Sequence, residues 1–143
     1  MKVLLQRVTR AEVRVDGRAV GSIGAGILVF VGVERGDTAE AAEALAAKTA
    51  ELRIFPDDSG RMNRDVRQAH GALLVVSQFT LAASTRRGLR PSFDGAEEPA
   101  KARELYLAFV EALRARGIPV ETGTFGAMME VELVNDGPVT FLL

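Results

Sequence analysis

The chain has no cysteine and a single histidine. Without thiols it can form no disulfide framework, no thiolate metal site and no cysteine nucleophile, and one histidine cannot build a polyhistidine metal site. No uncharged run approaches the roughly 18 residues of a membrane-spanning helix. The opening MKVLLQRVTR returns to charge after three apolar residues, too few for a signal-peptide core. A cytoplasmic protein without a membrane partner is therefore expected. An excess of charge of one sign is missing too: the net charge is −1, so no global positive field draws the chain onto nucleic acid. DNA is not expected as a partner, and any RNA contact must be local. GxxxxGK[ST] and GxGxxG are both absent, which argues against a nucleotide-phosphate cradle. The 143 residues show no repeat, no low-complexity tract and no dividing linker. One domain of this length buries roughly two-thirds of its unfolded surface.

What is present reads as strands and two helices. KVLLQRVTRAEVRV, then Asp16-Gly17, then RAVGSI suggests a hairpin with one wet face, and the wholly apolar GILVFVGV suggests a central strand. Asp37 and Glu40 have the spacing of a capping box, and TAEAAEALAAKTAELR predicts a helix from about Thr38 to Arg53. IFPDDSGRMNRDVRQAHG reads as a surface loop before the strand ALLVVSQF. Ala102, Leu105, Tyr106, Phe109, Val110 and Leu113 fall on one helical face between Glu97 and Arg116, stopped by Gly117-Ile118-Pro119. Two more strands are expected near residues 118–125 and 128–134. Strands, helix, strand, helix, strands is the order of an α+β fold with a largely antiparallel sheet packed with two main helices.

Chemistry has few candidates. Ser77, Gln78, Phe79 and Thr80 stand where an apolar strand turns polar, a place where rigid elements present functional groups or simply satisfy local backbone. A serine or threonine nucleophile needs an adjacent base, and the sole histidine, His70, lies seven residues upstream in a loop. The carboxylate pairs Asp57-Asp58 and Glu97-Glu98 sit in a turn and at a helix start, where structural roles account for them. Arg86, Arg87 and Arg90 lie within five residues, a local candidate for phosphate or a solvated loop. At the C-terminus, Asn135-Asp136-Gly137-Pro138 interrupts two strand-like runs where Asn-Gly or Asp-Gly alone would make a hairpin. Pro138 cannot donate a ladder hydrogen bond.

Five stretches, QRVTRAEV (6–13), GRMN (60–63), SQFTL (77–81), RGLRPSF (87–93) and VNDGPVTF (134–141), together resemble the D-aminoacyl-tRNA deacylase family in order and spacing over nearly the whole chain. SQFTL and NDGPVT carry most of the weight, and His70 belongs to neither. The resemblance implies a barrel-like sheet and a homodimer in which a cis Gly137-Pro138 peptide, with Asn135 beside it, reaches into the partner's active site. It implies hydrolysis of the ester of D-aminoacyl-tRNA, and of glycine mischarged on tRNA-Ala, with no cofactor and no metal. L side chains would meet the Gly137-Pro138 main chain as a wall, a steric rejection that D residues and glycine escape. Backbone amides of Phe79 and Thr80 would hold the oxyanion. Thr80 would act as nucleophile or position water, and Ser77 and Gln78 would orient the substrate or brace the turn. Arg7 would brace the incoming Gly137-Pro138 carbonyls, and Phe125 and Met129 would line the adenosine pocket. Two rivals stand beside this reading. One is a non-catalytic RNA-binding dimer using Arg86, Arg87 and Arg90; the other is a Ser/Thr esterase that needs His70 or a buried carboxylate as base.

Overall fold

Asp16 and Gly17 both take positive φ, 49° and 76°. That tight turn folds the first part of the chain into one long hairpin. The computed structural model describes residues 1–143. Strand β1 (Lys2–Val15) pairs antiparallel with β2 (Arg18–Ile23) and then with β3 (Gly26–Gly32), from Val15↔Arg18 to Lys2↔Gly32, with a register shift between Val13 and Arg14. After helix α1 (Ala39–Glu51) and a small antiparallel pair, β4 (Phe55–Pro56) with β5 (Met62–Arg64), the chain enters β6 (Ala72–Ser77). A short 3-10 turn (Phe79–Ala82), helix α2 (Pro99–Arg114), β7 (Val120–Thr122) and β8 (Glu130–Leu142) complete it.

The sheet is mixed. β1 is antiparallel to β2, β3 and β8, as the pattern predicts, whereas β6 runs parallel to both β3 and β7. The physical reason is connectivity: α1 lies between β3 and β6, α2 between β6 and β7, and parallel neighbours require such a crossover. β8 takes the other edge of β1, since Leu5 faces Val29 on one side and Phe141 on the other. The far side of the sheet curls until β7 approaches β2. A Cβ on Gly21 would sit 2.4 Å from the Thr122 carbonyl oxygen, so only glycine admits this approach and the nearly closed, barrel-like shape that follows.

Period-two alternation assigns the two faces. Val3, Leu5, Ile27, Val29, Val31, Leu73 and Val75 point toward α1 and α2 and join Ala42, Ala46, Ala50, Leu105, Phe109, Val110 and Leu113 in the main core. Val8, Val13, Leu28, Leu74 and Val76 point into the curl. Each such aliphatic side chain contributes about 1.5–3 kcal/mol when fully buried. The alanines at positions 42, 46 and 50 recur every fourth residue, which brings one small-residue face of α1 to the core.

Local details differ from the sequence pattern in three places. Thr38, not Asp37, caps α1, its hydroxyl accepting from Ala41 N at 3.2 Å, while Asp37 accepts instead from Glu34 N. The loop before β6 contains the β4–β5 pair. The last two expected strands become a three-residue β7 and a single β8 that runs through the Asn-Asp-Gly-Pro segment, keeping its place on β1 through register shifts between Gln6 and Val8 and between Val8 and Arg10.

Candidate active site

The polar end of β6 is clamped by its neighbours. Ser77 is the last residue of β6 and pairs with Val31, and Gln78 N donates to Val31 O at 2.8 Å. The chain then turns through Phe79–Ala82, with Leu81 N donating to Gln78 O and Ala83 N to Thr80 O. The turn sits directly on β3: a Cβ on Gly32 would lie 2.7 Å from Leu81 Cβ and 3.0 Å from Gln78 O. Lys2 Nζ donates to Leu81 O at 3.2 Å from the adjoining strand. The first amides of any helical turn lack an intrahelical acceptor. Here that applies to Phe79 N and Thr80 N, and none of the chain's turn and cap hydrogen bonds takes either one.

Beside this turn lies a cavity of about 530 Å³. Val76, Ser77, Gln78 and Phe79 form one wall, and Phe125, Met128 and Met129 belong to another. Tyr106 holds Phe125 in place: its ring centroid is 5.8 Å away, and its hydroxyl donates to Val75 O at 2.8 Å. Burial pushes the Tyr106 phenol up to about 12, so it stays a neutral donor. Thr80 does not line the cavity; it is exposed, and its hydroxyl oxygen accepts from Gln78 Nε2.

Three other groups lie outside this cavity. His70 is exposed, with φ +53°, at the opposite end of β6 from Ser77. The strand from Ala72 to Ser77, at about 3.3 Å per residue, alone spans roughly 17 Å between them. The chain therefore offers no serine-histidine pair. Gly137 and Pro138 are exposed and do not line this chain's own cavity. The peptide between them is cis. They are held from beneath: Asn135 Oδ1 accepts from Val139 N and Asn135 Nδ2 donates to Thr140 Oγ1, both at 3.0 Å, closing a bridge over the Gly-Pro step. Arg7 holds the residue before that step, with Nε donating to Asp136 O at 3.2 Å and an Nη donating to Ile54 O at 2.6 Å. Arg86, Arg87 and Arg90 form no ion pair and lie in an exposed loop whose base is closed by Ser84 and Ser92.

The sequence pattern missed the remaining wall, made by Val33, Ala96, Glu97, Pro99 and Ala102. A bridge between Glu34 and Ala96 and a bond from Glu97 N to Val33 O bring the start of α2 over the end of β3. The available signal was Glu97-Glu98-Pro99 at a helix start. Glu97 both accepts from Glu98 N at 2.9 Å and faces the cavity. That amide, followed by Lys101 at 3.3 Å, holds its carboxyl below the usual range. A carboxylate so stabilised is a weak base.

The family model for D-Tyr-tRNA(Tyr) deacylase matches residues 4–143. The chain belongs to this deacylase family. A D-aminoacyl-tRNA deacylase of Paracoccus denitrificans is 61% identical over 98% of this chain and 94% of that protein. Among solved structures, the c-Myc DNA Unwinding Element Binding Protein superposes with a TM-score of 0.94 at 39% identity, covering 100% of this chain and 97% of that one. A structure described as a probable eukaryotic D-amino acid tRNA deacylase shares the fold with a TM-score of 0.82 at 20% identity, over 99% and 97% of the two chains. Members of a deacylase family are hydrolases acting on an ester bond. In this member, the start of the turn after β6 and the apolar cavity lie side by side.

Proposed function

We propose that this deacylase hydrolyses D-aminoacyl-tRNA in the cytoplasm, and clears glycine mischarged on tRNA-Ala, as a homodimer needing no cofactor. The observation that carries the chemistry is the pair of unclaimed amides, Phe79 N and Thr80 N, on a braced turn beside an apolar cavity. The terminal adenosine occupies the cavity between Phe125 and Met129, with the aminoacyl carbonyl at the turn. Water attacks the carbonyl carbon, and the two amides stabilise the oxyanion that develops. The bond from that carbon to the ribose oxygen then breaks, and a proton passes to the leaving oxygen. One donor of this kind is worth roughly 10²–10³ in rate.

Thr80 positions the water or the ester rather than attacking. An attacking hydroxyl needs a proton acceptor, and His70 is at the far end of β6 while Glu97 is held ionised and already engaged. The substrate's own 2′-hydroxyl assists, and Ser77 and Gln78 orient the ester, the latter through its bond to Thr80.

Selection between D and L falls to Asn135, Gly137 and Pro138 of the partner. Gly137 and Pro138 are exposed, braced from inside by Arg7 and the half-buried Asn135, and outside their own chain's cavity, an arrangement suited to presentation into a second copy. Exposed Val134, Phe141 and Leu142 on the same strand offer apolar surface for that contact. A main-chain wall there excludes an L side chain while admitting D residues and glycine. Arg86, Arg87 and Arg90, free of carboxylate partners, take tRNA phosphates, so binding weakens as salt rises.

Single-turnover ester loss from D-tyrosyl-tRNA tests the proposal. Wild type cleaves the ester, and Thr80→Val keeps a measurable part of that rate because the amides remain. An inactive wild type contradicts the function; a Thr80→Val that binds substrate without any cleavage contradicts the backbone-led mechanism.

A further inference from the structure

Two aromatic rings stand in water at the mouth of the cavity. Phe79, which lines the cavity, is 56% exposed, and Phe93 is 42% exposed. Their centroids are 5.1 Å apart and their planes tilted by 52°, so they form one apolar surface rather than two scattered side chains. That surface is mechanically supported on both sides. Phe79 belongs to the turn seated on Gly32, and Phe93 directly follows Ser92, whose amide and carbonyl pair with Ser84 at 2.9 and 2.8 Å. Between Ser84 and Ser92 runs the loop carrying Arg86, Arg87 and Arg90, exposed and without carboxylate partners. Seven other arginines of this chain, Arg7, Arg10, Arg14, Arg35, Arg64, Arg67 and Arg114, are ion-paired; the other unpaired ones, Arg18, Arg53, Arg61, Arg103 and Arg116, are scattered along the sequence, whereas Arg86, Arg87 and Arg90 fall within five residues.

Supported aromatic faces next to unpaired guanidinium groups are the chemistry that holds single-stranded nucleic acid, through base stacking and phosphate contact. From this, and resting on the deacylase reading above, we infer that Phe93, with Phe79, is a stacking platform for the unpaired nucleotide that precedes the terminal adenosine. The adenosine enters the cavity, and the strand must leave past Phe79. The next base lies on the aromatic pair, and its phosphates face the arginine loop. The enzyme thereby grips a short single-stranded 3′ end and not the terminal nucleoside alone.

The test compares two substrates, D-tyrosyl-tRNA and the nucleoside ester D-tyrosyl-adenosine, which has nothing to stack on the platform. The readout is the ratio of kcat/KM for the tRNA to that for the nucleoside ester. Phe93→Ala should lower this ratio by about 5- to 150-fold, the range for one lost base-aromatic stack. Phe93→Leu keeps an apolar contact for Phe79 but no aromatic face, and it should lower the ratio likewise, whereas Phe93→Trp should preserve it. A ratio equal to wild type in Phe93→Ala and Phe93→Leu overturns the platform, because loss of support for Phe79 would slow both substrates together. A wild type that cleaves neither substrate overturns the deacylase reading itself, and the platform with it.

Discussion

The turn after β6 and the Gly-Pro segment within β8 are both short and both are held by hydrogen bonds from neighbouring strands, yet they are built in opposite ways. The turn at Phe79–Ala82 is anchored inward, by Val31, by Lys2 and by the bare Cα of Gly32, and it faces its own cavity. The segment around Gly137 is anchored inward by Arg7 and Asn135 but faces outward, away from that cavity. Rigidity is common to both; direction is not. The difference is what the proposed reading rests on: the turn borders a cavity of its own chain, while the Gly-Pro segment is presented away from it.

The sharpest way to break the comparison is to unseat the turn alone. Gly32→Val places a side chain where Leu81 Cβ would be 2.7 Å away, pushing the Phe79 and Thr80 amides out of position. Hydrolysis of D-tyrosyl-tRNA should fall by roughly 10²–10³, the cost of losing such a donor, and steady-state kinetics with a parallel thermal melt would separate this from unfolding. Arg7→Met attacks the other region. It removes the hydrogen bonds to Asp136 and Ile54, a loss of about 1.5–3 kcal/mol for bonds from a charged group. Cleavage of the L ester should rise relative to the D ester, measured on matched substrates, while a variant of the turn should slow the reaction without raising that fraction.

Much of this was legible in the sequence. Asp16-Gly17 marked the hairpin, and alternation in β1 and a run of alanines in α1 marked strand and helix. Ser77, Gln78, Phe79, Phe125 and Met129 do converge on one cavity. Parallel pairing of β6 was not legible, because the same apolar run suits either direction and the crossover helices decide. Nor was the wall from Val33 to Ala102, whose residues carry no chemical pattern and reach the cavity only through the Glu34–Ala96 bridge. The Gly-Pro segment was recognisable as unusual, but the direction it faces depends on how Arg7 and Asn135 hold it.

Smaller effects sharpen the account from the cavity side. Glu97 and Asp65 have depressed carboxyl values in the folded chain, Glu97 first through the Glu98 amide and Asp65 through local amides and Arg67 that outweigh its burial. Depressed values mean that the stability they provide is present above the unfolded carboxyl range and is lost as pH falls through the folded values, so melting temperature should drop below about pH 4. Tyr106, raised to about 12, acts at the other end: the unfolded phenol ionises near 10, so stability falls as pH rises from 10 towards 12. Melting curves across both ranges check each sign. The smallest effect is expected for His70→Ala, which should leave the rate of D-ester hydrolysis unchanged in the same kinetic assay, because the side chain is exposed at the wrong end of β6.

The measurement that tests the division of labour most directly is the time course of ester loss from matched D- and L-tyrosyl-tRNA with the wild-type protein, in the presence of a chelator. The account predicts rapid loss of the D ester alone. Equal loss of both esters, or loss of neither, would contradict it.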